Sequence, residues 1–309
     1  MGLSIGDFLY GIVAIWLIYK CIKVIYYLFQ KNTAELRAKL IRNVYGIVIA
    51  GCVLYLVFNL FWGINYNRKG IAWQLALTDL KYTTRDLKII NQELLNKVNQ
   101  AKTSLLNKQV AYPPHDVLFK KAADSYGRLM QAYPYLQYQP ASLKRSLWGW
   151  FGNYAGFTGY YNPFTGEAQV NTTVPAFLLP FTSSHEVAHQ LGYAREMEAN
   201  FVGYLAATHS ADTLFHYSAY LELFLYANRN LNGVDSAAAG NFRRLLLKPV
   251  KDDIREWYDF NKKHRGLLEP VVRWIYGKFL ESNEQPQGIL SYDEVTGLLI
   301  AFSKKYGKL

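Results

Sequence analysis

Ser184-His185-Glu186-Val187-Ala188-His189-Gln190-Leu191-Gly192-Tyr193-Ala194-Arg195-Glu196-Met197-Glu198-Ala199-Asn200 is the stretch from which the rest of the chain is best read. It carries a complete HExxH, a glycine three residues on, and an acidic run that opens a second apolar-periodic segment. Residues four apart share one face of a helix, so His185 and His189 can offer two imidazole nitrogens to a single metal ion. Glu186 sits beside them, where a carboxylate can take the proton of a metal-activated water.

A catalytic zinc needs three protein ligands and one open position. In the metzincin pattern the third histidine would stand at position 195, and this chain has Arg195 there. The next residue, Glu196, is followed four residues later by Asn200, which is the gluzincin arrangement. Glu196 is therefore expected as the third ligand. Asn200 is expected one turn away, accepting a hydrogen bond from a ligand histidine and fixing its tautomer. Glu198 is the alternative third ligand. Two plainer readings compete with these. Ser183 and Glu186 have the spacing of a capping box that would close a helix N-terminus, and the histidines fit a half-exposed polar face. Gly192, the Glu196–Asn200 spacing and the apolar lead-in favour the metal.

The 309 residues suffice for one large domain or two small ones plus membrane elements. A net charge of +11 raises the question of a nucleic-acid partner, but the cations are scattered and flank apolar runs, so no nucleic-acid face is expected and a lipid bilayer is. The 25 tyrosines and 7 tryptophans suit a lipid–water boundary. Phe8–Tyr19 is unbroken apolar and continues past Lys20 and Lys23; Val44–Trp62 is interrupted only at Asn59. About 20 residues cross the hydrocarbon core, which the second run supplies cleanly. Lys20 must snorkel or end a shorter span. The first run does not read as a signal peptide, because no positive region precedes it and no small-x-small site follows. The loop between the runs carries Lys31, Arg37, Lys39 and Arg42 against Glu35, which places it in the cytoplasm. The remainder is then expected outside the inner membrane, with Arg68-Lys69 as the weaker counter-signal. Cys21 and Cys52 both fall in the spans and leave the compartment untested.

The expected domains are a two-span membrane anchor over residues 1–66 and a metallohydrolase domain over 67–309. The fold is expected to be mainly α with a small β element. Leu75–Val98 shows helical apolar spacing, Pro113-Pro114 opens a helix that runs to about Tyr133-Pro134, and Glu167–Asn171 alternates as a short strand after turn signals at Asn162-Pro163 and Thr165-Gly166. That strand is either a sheet edge to which an extended peptide substrate pairs, or plain structure. His209, His216, Tyr217 and Tyr220 are open candidates for a further donor at the site.

The chain resembles an uncharacterised bacterial membrane-protein family, the domain of unknown function three-eight-one-zero. The resemblance rests on the two apolar runs, on Trp62-Gly63-Ile64-Asn65-Tyr66-Asn67-Arg68, on Gly159–Ala168, on Leu179-Pro180-Phe181-Thr182 leading into the motif, and on Ser291–Val295. It implies a zincin-like metallopeptidase domain on a membrane anchor and supplies no substrate. The expected function is a membrane-anchored zinc metallopeptidase acting on a peptide or protein. In it His185, His189 and Glu196 hold Zn²⁺ and Glu186 is the general base. A zinc-dependent amidase on a cell-wall amide and a non-enzymatic membrane protein with a closed structural zinc remain open. Three ligands or four would separate the last from the rest.

Overall fold

In the computed structural model, residues 3–30, 33–139, 141–266, 268–283, 285, 293–307 and 309 are described. Ser291 and Tyr292, part of one matching segment, and Lys31 of the first loop lie outside them. Two long helices open the chain, α1 (Ile5–Leu28) and α2 (Ala34–Phe61), each long and apolar enough to cross a membrane and each without burial in its apolar window. Ser4 caps the first and Thr33 the second, each side chain accepting a backbone N–H one turn in. Lys20 on α1 donates to Asn43 on α2 at 3.2 Å, so its charge has a partner between the helices.

The rest is helical around a small sheet, as expected. After the short α3 (Ile71–Gln74) come α4 (Thr84–Asn107), α5 (His115–Ala132), strand β1 (Leu143–Arg145), α6 (Gly149–Ala155), and strands β2 (Gly159–Asn162) and β3 (Glu167–Val170). Then follow α7 (Leu179–Gln190), α8 (Glu196–Thr208), α9 (Thr213–Val234), α10 (Ser236–Leu245), α11 (Lys248–His264), α12 (Leu268–Ser282) and α13 (Val295–Tyr306). The helix expected from Leu75 starts only at Thr84. Thr83 and Asp86 form a full capping box there, and Ala76 takes a positive φ of 48° that no helix continues through. From that start Leu87, Ile90, Leu94, Val98, Ala101 and Leu105 fall on one face and bury against α9. At roughly 1.5–3 kcal/mol for each large apolar side chain, this stripe is a main source of the core's stability.

The sheet runs in the order β1-β3-β2, with β1 parallel and β2 antiparallel to β3. The strand expected at Glu167–Asn171 forms as β3, but it is central, so its hydrogen bonds are taken on both sides and no substrate can pair with it. Both of its faces are covered as well. Ala168 and Val170 join the core, while the polar face is sealed by the start of α1. Glu167 accepts from the backbone N–H of Ile5 at 3.2 Å and of Gly6 at 2.7 Å, and from the Ser4 hydroxyl at 3.2 Å. Asp7 accepts from Leu147 N at 2.7 Å and from the Tyr160 hydroxyl, and its carbonyl accepts from the Trp148 indole. A carboxylate at a helix N-terminus satisfies otherwise unpaired donors and opposes the positive end of the dipole. The N-terminal end of α1 is thus fastened to the same body into which α2 leads.

Candidate metal centre

The motif helix α7 is set by its neighbours. Its first turn lacks a side-chain cap of its own, and Ser218 of α9 fills that role by accepting from Phe181 N at 3.0 Å and donating to the Leu178 carbonyl. Tyr126 of α5 donates to the Ser184 carbonyl at 2.6 Å. Because α7 begins at Leu179, Ser183 lies inside the helix, and the capping-box reading of Ser183 and Glu186 fails. The helix ends in a Schellman turn. Gly192 adopts φ +86°, its N–H bonds the His189 carbonyl at 2.8 Å, and Tyr193 N bonds the Ala188 carbonyl. A side chain at 192 would be strained and would also press on Arg68 and Asn65.

This turn brings α8 back across α7, and Gly203 lets the two backbones approach at His185. The first residue of α8, Glu196, then meets both histidines. His185 Nε2 and His189 Nε2 are 3.1 Å apart, and Glu196 Oε2 lies 3.3 Å from the first and 3.6 Å from the second. All three residues are buried, and their ligand atoms form a cluster able to hold a metal ion. A tetrahedral ion with bonds of about 2.0–2.1 Å spaces its ligands roughly 3.3–3.4 Å apart, so the donors already stand where such an ion would need them. His189 Nδ1 is 2.8 Å from the Tyr193 carbonyl, which can only accept. The proton therefore belongs on Nδ1, and in the neutral ring Nε2 aims a lone pair into the cluster.

Glu198, the alternative ligand, points elsewhere: its carboxylate accepts from Ile71 N at 3.1 Å and packs against Gly70 at the start of α3. Asn200 is buried, but it is not the acceptor for His189 Nδ1; the Tyr193 carbonyl, delivered by the Schellman turn, occupies that place. His209 and His216 bond the backbone carbonyls of Leu205 and Ser210, and the Tyr217 hydroxyl bonds Asp253. Tyr220 rests in contact with the His216 ring and under the Lys97 ammonium. None of these four is a partner of the cluster.

Sequence reasoning missed the groups that do support it. Tyr276 of α12 donates to Glu196 Oε1 at 2.5 Å, and Gln285 accepts from Glu196 N at 3.0 Å. Trp62, at the end of α2, stands edge-on to His189 with ring centroids 6.1 Å apart and packs on Tyr161 of β2 at 4.4 Å. Arg68, just beyond, donates to the Leu191 carbonyl at 2.9 Å.

Glu186, next to the cluster on α7, lies against Gly159 at the start of β2, and its Oε2 has no hydrogen-bond partner among the described residues. Burial raises its carboxyl from 4.5 to about 7, against the opposing pull of His185 and His189. Burial disfavours a charged His189, but Glu196 overrides it and lifts the imidazole to about 9. Glu196 itself is also desolvated, yet the two histidines hold it far below the carboxylate range. The cluster attracts positive charge, and the carboxylate next to it is poised near neutrality.

Over residues 1–300 the chain matches the family described as protein of unknown function DUF3810, and it belongs to that family. No curated protein and no solved structure matches it.

Proposed function

We propose that this member of the DUF3810 family is a membrane-anchored zinc hydrolase, and specifically a metallopeptidase. The observation that carries the reading is the convergence of His185 Nε2, His189 Nε2 and Glu196 Oε2 at 3.1–3.6 Å beside the buried Glu186 carboxylate, whose Oε2 has no hydrogen-bond partner among the described residues. Two nitrogens and a carboxylate oxygen suit zinc. Among the described residues no fourth ligand joins them, which favours an open site over a closed structural one.

When bound, zinc would supply Lewis-acid polarisation of a carbonyl and acidify water. Everything else falls to the chain. Glu186 Oε2 accepts a proton from the attacking water and returns it to the leaving amine, a role suited to a carboxyl whose pKa lies near neutrality. The Tyr193 carbonyl fixes the His189 tautomer, and Tyr276 and Gln285 hold Glu196 in place. Of the two edge strands, β1 and β2, it is β2 that starts beside Glu186, and it is the better candidate for the substrate-pairing role that was one of two readings of β3. With α1 and α2 as spans and the basic loop in the cytoplasm, the hydrolase domain lies outside the inner membrane.

The test uses the full chain in detergent. About one zinc per chain is expected, lost in His185→Ala and His189→Ala and kept in Glu186→Gln. Wild type should cleave a mixed peptide library, and Glu186→Gln should not. Loss of metal from Glu186→Gln, or a zinc-loaded wild type that cleaves no peptide, would sink the proposal.

A further inference from the structure

We infer that α6 and α12 form a collar that rests in the headgroup layer of the bilayer, at the level where α1 and α2 leave it. The inference builds on the reading of α1 and α2 as membrane spans. The collar meets the spans at their domain-side ends. Phe279 of α12 meets Phe58 of α2 with ring centroids 5.7 Å apart. Phe58 is three residues before the last residue of α2, or about 5 Å along the axis. On the other side Trp148, which leads into α6, donates to the Asp7 carbonyl in the first turn of α1, and its ring lies against Gly11 one turn on.

The helices also pack against each other, and what they turn outward is apolar. On α12, Tyr276, Phe279 and Leu280 face the protein, whereas Val271, Trp274 and Ile275 fall on the opposite face and are 55%, 67% and 56% exposed. On α6, Trp150 is 61% exposed, with Phe151 and Tyr154 beside it. Water disfavours a contiguous patch of this kind. Its composition, aromatic with Trp and Tyr prominent, is that of side chains that settle at the lipid–water boundary. Along residues 262–281 the cations Lys262, Lys263, Arg265, Arg273 and Lys278 outnumber Glu269 and Glu281, a bias that suits anionic headgroups. A lipid surface therefore fits this face in position, shape and charge. Because Tyr276 of the same helix holds Glu196, the collar also sets the candidate site at the membrane surface, within reach of peptide segments as they leave the bilayer.

The experiment places a polarity-sensitive dye on single cysteines of the full chain in phosphatidylcholine–phosphatidylglycerol vesicles, with nitroxide quenchers in the headgroup or in mid-chain. Native Cys52, kept alone by Cys21→Ser, reports the span, since it lies nine residues before Phe61 and so about 14 Å inside. Trp150→Cys, Trp274→Cys and Leu245→Cys, each in a chain lacking both native cysteines, report the collar and a control. Leu245 is exposed on α10, the length of α11 away from α12. Mid-chain quenching should be strongest at 52, and headgroup quenching at 150 and 274 should exceed that at 245 several-fold. If 150 and 274 quench no better than 245 while 52 is quenched, the collar is wrong and the spans stand. If 52 is not quenched either, the spanning reading fails and takes the collar with it.

Discussion

Replacing Glu186 with Gln tests the buried carboxylate at the centre of the mechanism, and it has a readout independent of catalysis. The side chain is 4% exposed, and burial lifts its carboxyl from 4.5 to about 7. A carboxyl with a folded pKa above its unfolded value favours the fold fully below the unfolded value. That contribution fades as pH rises through the folded value. Between about pH 4.5 and pH 7 the wild type should therefore lose on the order of 3 kcal/mol from this group, at 1.36 kcal/mol per unit. Gln has nearly the same shape and nothing to ionise. Thermal melts of chelator-treated full-length protein should show Glu186→Gln above wild type by several degrees at pH 8, with the gap closing toward pH 4. With zinc restored, the same variant should keep its metal and lose about 10²- to 10⁴-fold in hydrolysis. A variant that melts below wild type at pH 8, or a gap that ignores pH, would show that the carboxylate is a structural partner and not a strained base.

Other expectations follow from the same contacts. Glu196→Ala should abolish tight zinc binding, measured by competition with a chromogenic chelator. Glu198→Ala should keep the metal and lose about 1–3 kcal/mol of stability, because Ile71 N is left without its acceptor. Tyr276→Phe removes the hydroxyl that holds Glu196, and zinc affinity should fall about 10- to 100-fold while the fold survives. Asn200→Ala should change it little, as the His189 bond goes to a backbone carbonyl. A reporter fused after Leu309 should read as extracytoplasmic and one inserted near Thr33 as cytoplasmic; the reverse pattern would mean that Arg68-Lys69 outweighs the first loop.

The motif was legible because it is local. His185 and His189 share a face by helical spacing alone, and Glu196 follows at a distance that one turn can close. The supporting groups were not legible in that way. Tyr276 and Gln285 lie 80 and 89 residues from Glu196, in segments whose composition marks them as nothing special. Asn200, expected to accept from one of the ligand histidines, does not do so at His189, for a related reason. Helical spacing pointed to Asn200, but the positive φ of Gly192 curls the chain so that the Tyr193 carbonyl arrives first. On β3, Glu167 and Gln169 gave the alternation of a strand with one wet face. That face is buried under the start of α1, a partner more than 160 residues away that no local pattern can reveal.

That distant contact also bears on topology by a route separate from charge. Glu167 and Asp7 fasten the first turn of α1 to the sheet, while Trp62 at the end of α2 packs on β2 and His189. Both domain-side ends of the helical pair are therefore tied to one body. Helices of 24 and 28 residues reach about 36 and 42 Å, more than the roughly 30 Å hydrocarbon core. A pair that crosses the bilayer must then be a hairpin, with the basic loop on one side and the N-terminus and the candidate metal centre together on the other. The loop charges only decide which side is which. Trp62 joins the two halves physically, one residue past the end of α2 and against a metal-cluster histidine. Were α2 a membrane span, a tilt of it would reach His189 through Trp62.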